Sequence, residues 1–334
     1  MTHITSQANA ALVIPTCRID SFREFVDAWS RSADWQATFV VVDDAETEPF
    51  RQAAEKLPRP VVVGWTEIER DLENEWIISR QDSAIRSYGF LVAYRDLENF
   101  DLICTLDDDC FPLVKGHAIS HRRSMEFPAW QSTLDQTRVR GLPFSDAPKL
   151  KADVNIGLWE GVFDLSSIDQ LANGPQAYQS LTVAQKESYN RVIPQNVQVP
   201  MCGMNLAFSR RAAPLMYFGL QGRSQPVGRF DDIWCGVIAK KICDHLGWSW
   251  TCGRPIVEHQ RASNPFANLT KEAPGIVEHE HLMPYLTGVK LTESSLCGCF
   301  SEMAEAILKY QPVHLPTDYF RKLGRAMNVW INQF

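Results

Sequence analysis

Short β-branched runs alternating with helix-spaced apolar residues dominate the first third of this chain, and that alternation is the strongest constraint on its fold. Ala11-Leu12-Val13-Ile14 reads as a strand closed by Pro15, and Phe22, Phe25, Val26 and Trp29 then recur at helical spacing. Thr38-Phe39-Val40-Val41-Val42 ends at Asp43-Asp44, and Pro60-Val61-Val62-Val63-Gly64 is a third apolar run between turn residues. Asp82 and Ser83 can cap a helix through Ala84, Tyr88, Leu91 and Val92. Leu102-Ile103-Cys104-Thr105-Leu106 follows and runs straight into Asp107-Asp108-Asp109. Repeated β-α-β units predict an α/β domain with a mostly parallel sheet, and ligands are expected at the carboxyl ends of its strands.

The second half is less regular. Proline interrupts much of it, and two helices stand out. One starts at Asp231-Asp232 and carries Val237, Ile238, Ile242 and Leu246; the other carries Phe320, Leu323, Met327, Trp330 and Ile331. No internal repeat or linker divides the 334 residues, so a single catalytic unit over 1–334 is expected, with 290–334 as a C-terminal helical extension. The hydrophobic share of 45% can fill a large core. A net charge of −7 disfavours a nucleic acid polymer as partner, because phosphate-backbone binding needs clustered excess Lys and Arg. The start, Met1 to Gln7, lacks the basic and apolar regions of a secretory signal, and no apolar run is long enough to span a membrane. The nine cysteines include no Cys-x-x-Cys pair, which disfavours a zinc ribbon. A cytoplasmic protein with reduced thiols is the expectation.

Three consecutive aspartates at the end of a strand put hard oxygen ligands where an open α/β sheet has its crevice. Mg2+ and Mn2+ prefer such ligands together with substrate phosphate. The same pattern also fits a solvated acidic turn or caps for the next helix. His259, after Ile256-Val257, is a candidate distal metal ligand or a structural histidine. Asp231-Asp232 is either an N-cap pair or a group that binds sugar hydroxyls and moves protons. Arg140, beside Gly141-Leu142-Pro143, could clamp a diphosphate, although exposed loop arginines are common. Pro200-Met201-Cys202-Gly203-Met204-Asn205-Leu206-Ala207-Phe208 fits close backbone approach to a ligand and a tight core strand equally well. No Gly-x-Gly-x-x-Gly follows the first strand, which disfavours a flavin.

In order, Leu12 to Thr16, Leu106 to Phe111, Arg140 to Ser145, Pro200 to Phe208, Met216 to Leu220, Gln225 to Asp232 and Ala262 to Phe266 form a string of motifs. Through them the chain resembles the reversibly glycosylated polypeptides, the UDP-arabinopyranose mutase family, from about residue 11 to Trp330. The resemblance implies a glycosyltransferase-A-like fold, with Mn2+ or Mg2+ as cofactor and no flavin. The activity it implies is interconversion of the pyranose and furanose rings of a UDP- or GDP-linked sugar, of the UDP-arabinose or GDP-fucose type. Under it, Asp107, Asp109 and His259 hold the metal, and Asp44, Asp82, Arg86, Asp107 and Asp108 face the nucleotide. Arg140 is the reversibly glycosylated arginine, and Asp231 and Asp232 serve the sugar. Plant members carry a second arginine seven residues after the first, where this chain has Ala147 with Lys149 nearby. They also follow the second strand with Gln-Asp-Gly-Asp, where this chain has Val42-Asp43-Asp44-Ala45. The base is therefore left open. A conventional or self-glycosylating transferase is the alternative function, and a homo-oligomer a candidate assembly.

Overall fold

The computed structural model describes residues 8–130, 132, 139–142, 149–173, 189–260 and 264–334. The first half follows the expected alternation: β1 (Ala10–Thr16), α1 (Ile19–Trp29), β2 (Ala37–Val42), α2 (Glu48–Ala54), β3 (Pro60–Val63), α3 (Trp65–Asp71), α4 (Arg86–Arg95) and β4 (Leu102–Leu106). Then come β5 (Cys110–Pro112), α5 (His117–Ser124), β6 (Glu126–Pro128), β7 (Lys149–Lys151), β8 (Val154–Gly161) and α6 (Ser167–Asn173). The remainder comprises β9 (Asn190–Ile193), β10 (Asn205–Ser209), α7 (Asp231–His245), β11 (Trp250–His259), α8 (Pro265–Gly288), α9 (Leu296–Lys309) and α10 (Thr317–Ile331).

Nine strands form the main sheet, in the order β3-β2-β1-β4-β10-β8-β11-β5, with β9 pairing beside β11. Strands β3, β2, β1, β4, β8 and β11 share one direction, whereas β10, β5 and β9 run against it. The expected parallel majority holds. Both faces of the sheet are covered, which is why β1 and β2 read as continuous apolar runs. Leu12 and Ile14 of β1 face α1 and α2, in a core with Phe22, Phe25, Trp29 and Phe50. Val13 faces the other way, among α4, α7, α9 and α10 with Phe90, Trp234, Phe320 and Trp330. The C-terminal helices thus share a core with the central strands.

Direction decides what meets at the rim. Strands β1, β2, β4, β8 and β11 deliver their carboxyl ends there, and reversed β10 delivers its amino end, including Gly203 and Asn205. Short β5 pairs antiparallel to β11, with His259 opposite Cys110, and this brings the aspartate turn alongside a histidine 150 positions later in the chain. Among the described residues no helix is long and apolar enough to cross a membrane.

Candidate active site at the carboxyl rim

A cavity of about 730 Å3 opens at this rim. Its walls include Asp82, Arg86, Asp107, Asp109, Asp231, Asp232 and His259, so most of the expected site residues converge on one space.

Asp109 and His259 face each other on the cavity wall. The Nδ1 of His259 lies 2.8 Å from the Val162 carbonyl. A carbonyl only accepts, so Nδ1 carries a proton and Nε2 is the ring nitrogen turned to the cavity. That Nε2 sits 3.7 Å from Asp109 Oδ1, which is buried without a hydrogen-bond partner. A cation or a proton shared between the two atoms would satisfy both. Burial, followed by repulsion from Asp107, pushes the Asp109 carboxyl up from its ordinary value. Gly161 makes the bracket possible: its φ is +84°, and a Cβ there would come 2.4 Å from the His259 carbonyl oxygen. A carboxylate oxygen and an imidazole nitrogen would suit Mn2+ better than Mg2+, which takes oxygen ligands, with substrate oxygens completing the shell. Among the described residues no third Asp, Glu, His or Cys joins them.

The other two aspartates of the triplet lie differently from expectation. Asp107 borders the cavity, but its Oδ1 is taken by Arg86 Nη2. Arg86 itself is 2% exposed, with Nη1 donating to Thr105 Oγ1 at 3.1 Å and to the Gly203 carbonyl at 2.6 Å, and Nε donating to the Ser83 carbonyl at 3.1 Å. Asp107 is thereby tied to the guanidinium through one oxygen while it lines the cavity. Asp108, expected at the nucleotide, is 3% exposed beneath the cavity. Its carboxylate accepts from Thr16 Oγ1 at 2.7 Å and from Arg18. It braces the β1 loop.

Asp82 caps the 3-10 turn Ser83–Ile85 ahead of α4, accepting from the Ala84 amide at 3.0 Å. Asp231 and Asp232 open α7, yet neither is its N-cap; that position is Phe230. Asp231 Oδ2 accepts from Ser83 Oγ at 2.7 Å, and Asp232 Oδ2 accepts from the Gly203 amide at 2.9 Å. The pair therefore belongs to the site, and the Pro200 to Phe208 motif is both core strand and cavity wall. Burial, then the charge of Asp231, drives the Asp82 carboxyl up to about 8. Burial raises Asp231 as well, and burial with repulsion from Asp231 and Asp164 raises Asp232 well above the ordinary range.

Besides Asp108, two expected residues stay outside the lining. Asp44 is exposed and accepts from the Glu46 amide at 3.1 Å; the preceding Asp43 is bound instead, by Trp65 Nε1 at 2.7 Å and by the Gln81 amide. Arg140 is exposed on a turn and is not among the described residues that line the cavity. Pro143, Phe144, Ser145, Ala147, Ala262 and Ser263, all within the motif string or its neighbourhood, lie outside the described residues. Lys149 is exposed and pairs with Glu126 at 3.5 Å.

The cavity wall also holds residues to which the sequence assigned no site role: Arg18, Ser83, Asp164, Arg229, Lys271 and Glu272. Arg229 adopts φ +65° just before α7, and its Nε donates to Glu272 Oε1 at 2.6 Å. Glu272 also accepts from the Ser167 amide at 2.8 Å and hydroxyl at 2.7 Å, tying α6 to α8 across the cavity. The walls carry the carboxyl groups of Asp82, Asp107, Asp109, Asp164, Asp231, Asp232 and Glu272 and the cationic side chains of Arg18, Arg86, Arg229 and Lys271.

UDP-arabinopyranose mutase 1 of Arabidopsis thaliana is 37% identical to this chain over 279 residues, covering 76% of this chain and 73% of that protein. Probable UDP-arabinopyranose mutase 1 of Pisum sativum is 33% identical over 339 residues, covering 96% and 88%. Among solved structures, the chain resembles glucosyl-3-phosphoglycerate synthase from Mycobacterium tuberculosis, crystallised with Mn2+, uridine diphosphate and phosphoglyceric acid. The TM-score is 0.46 and the identity 12%, over 86% of this chain and 81% of that one. The family description "Reversibly glycosylated polypeptide" matches residues 5–334. On that full-length match, and on relatives above 30% identity over most of its length, this chain belongs to the reversibly glycosylated polypeptide family.

Proposed function

We propose that this protein is a metal-dependent, flavin-free mutase that interconverts the pyranose and furanose rings of a nucleotide-linked sugar, UDP-arabinose or GDP-fucose being the two substrate types in view. The observation that carries it is the facing pair Asp109 Oδ1 and His259 Nε2 on the wall of a carboxyl-rich cavity in a member of this family. A divalent cation bound there supplies positive charge to the nucleoside diphosphate as it parts from the anomeric carbon. Asp107 and Arg86 line the same cavity, and the buried guanidinium holds Asp107 in place.

Changing ring size needs acid and base in equal measure. One ring oxygen leaves the anomeric carbon and takes a proton to become a hydroxyl; another hydroxyl gives up its proton and closes the new ring. Asp82, Asp231 and Asp232 are close-set carboxyls with raised proton affinity, suited to hold a proton near neutrality and exchange it in both directions. Net protonation is unchanged after each turnover, as a reversible isomerisation requires.

The test is incubation of the purified protein with UDP- and GDP-sugars plus Mn2+, without an acceptor, and chromatographic separation of isomers. An isomeric nucleotide sugar is expected. Hydrolysis alone, with transfer appearing only when an acceptor is added, would identify a conventional transferase and overturn the mutase assignment.

A further inference from the structure

Arg18 has an arrangement that the proposed chemistry has not yet used. It lies on the loop between β1 and α1, lines the cavity, and is 36% exposed. Its Nη2 donates to Asp108, and the same nitrogen reaches Asp109 Oδ2 at 3.3 Å. Its Nε is buried and finds no acceptor. One end of the guanidinium is therefore anchored under the floor, one contact rests on the carboxylate opposite His259, and one donor awaits an oxygen.

We infer that Arg18 is a placeholder that couples metal binding to diphosphate binding: it covers Asp109 when the site is empty and serves the diphosphate once a divalent cation takes Asp109. This rests on the Asp109–His259 metal site proposed above. The 3.3 Å contact to Asp109 is the looser of the two pairings, so it is the one given up, while Asp108 keeps the side chain anchored. Asp109 is then never left without positive charge, because a cation replaces the guanidinium. The freed donors gain the phosphate oxygens that a guanidinium fork recognises. Since each ligand favours the turned-away state of Arg18, metal and nucleotide must strengthen each other's binding, and by the same factor in both directions. The clamp expected of Arg140 is in this way supplied from the first loop.

The test is calorimetric titration of MnCl2 alone, and of UDP or GDP at saturating Mn2+, into wild type, Arg18→Ala and Arg18→Lys, with melting temperatures recorded for each. In Arg18→Ala, Mn2+ alone is expected to bind up to about fivefold more tightly, the size of a partly exposed ion pair's competition. Nucleotide at saturating Mn2+ is expected to bind about tenfold more weakly, the loss of one charged hydrogen-bonded contact. Arg18→Lys keeps the charge against Asp108 and is expected to hold Mn2+ near the wild-type level while losing nucleotide affinity, for lysine has neither Nε nor a fork. Opposite shifts of the two affinities are something a merely structural role does not produce. Unchanged affinities in both variants, or a parallel fall of both in Arg18→Lys, overturn the placeholder alone. Failure of wild type to bind Mn2+ overturns it together with the metal site.

Discussion

Burial and the neighbouring Asp231 lift the Asp82 carboxyl to about 8, and this residue therefore adds a pH-dependent contribution to the stability of the metal-free protein. Asp231 is its principal acidic neighbour, and Arg86 and Lys271 are the cations acting on it. An acid whose pKa is higher in the folded state holds its proton more tightly there than in the unfolded chain. Its contribution to stability is therefore full below the unfolded value near 4 and is lost as pH rises toward about 8. Asp82→Asn keeps the acceptor for the Ala84 amide and removes the titration. In chelator-treated samples followed by circular dichroism, this variant should match wild type near pH 4. By pH 8 it should be the more stable protein by about 1 kcal/mol or more, the worth of one pKa unit. Equal pH slopes in the two proteins would remove Asp82 from the list of proton-holding groups. The same substitution should slow ring interconversion, because the amide cannot exchange a proton.

At the scale of elements, α4 matters most, since its first residue is Arg86 and its flank lies on the central strands. Gly89 faces that contact. A Cβ there would approach Val13 Cγ1 to 2.5 Å and Val41 Cγ2 to 2.6 Å. Alanine normally gains about 1 kcal/mol over glycine inside a helix. Overpacking a core costs about 1–3 kcal/mol, so Gly89→Ala should be destabilising on balance and should also weaken nucleotide binding by shifting Arg86. A raised melting temperature would contradict this packing. The strands and helices of the first third were legible because apolar periodicity and turn residues agreed there; β1 to β4, α4 and α10 fall where the pattern put them. Helix α8 was not foreseen, because Pro274 and Pro284 lie inside it. Its signal was at its start, where Asn264 accepts from the amides of Phe266 and Ala267 and Pro265 takes the first helical position. Within the site, the acidic rim could be read from the run of aspartates after β4. Which aspartate faces the cavity could not, because that depends on Thr16 and Arg18 claiming Asp108 and Arg86 claiming Asp107. Arg229 lies within the Gln225 to Asp232 motif, but its pairing with Glu272 forms only where α7 and α8 converge.

Over the whole molecule, the C-terminal helices are bound to the catalytic rim through shared core. Trp330 is fully buried, stacks on Tyr217 at 5.2 Å and donates from Nε1 to the Pro214 carbonyl at 2.8 Å. Tyr319 donates to the Leu220 carbonyl at 2.9 Å and accepts from Gln221 at 3.3 Å, behind the wall that carries Asp231. We therefore expect 290–334 to fold with the rest as one unit: Trp330→Ala should cost about 3–5 kcal/mol, and thermal unfolding should remain a single transition. Two separate transitions would show an independent C-terminal unit.

The account stands on a cation at Asp109 and His259 holding the nucleotide at the sheet's rim, and calorimetric titration of UDP and GDP into wild type and Asp109→Asn, with Mn2+ and with chelator, tests it most directly. Saturable nucleotide binding is predicted for wild type only when Mn2+ is present, and at least about a hundredfold loss in Asp109→Asn, the scale of losing a buried charged contact. Equal nucleotide affinity in chelator, or a wild-type response from Asp109→Asn, would contradict it.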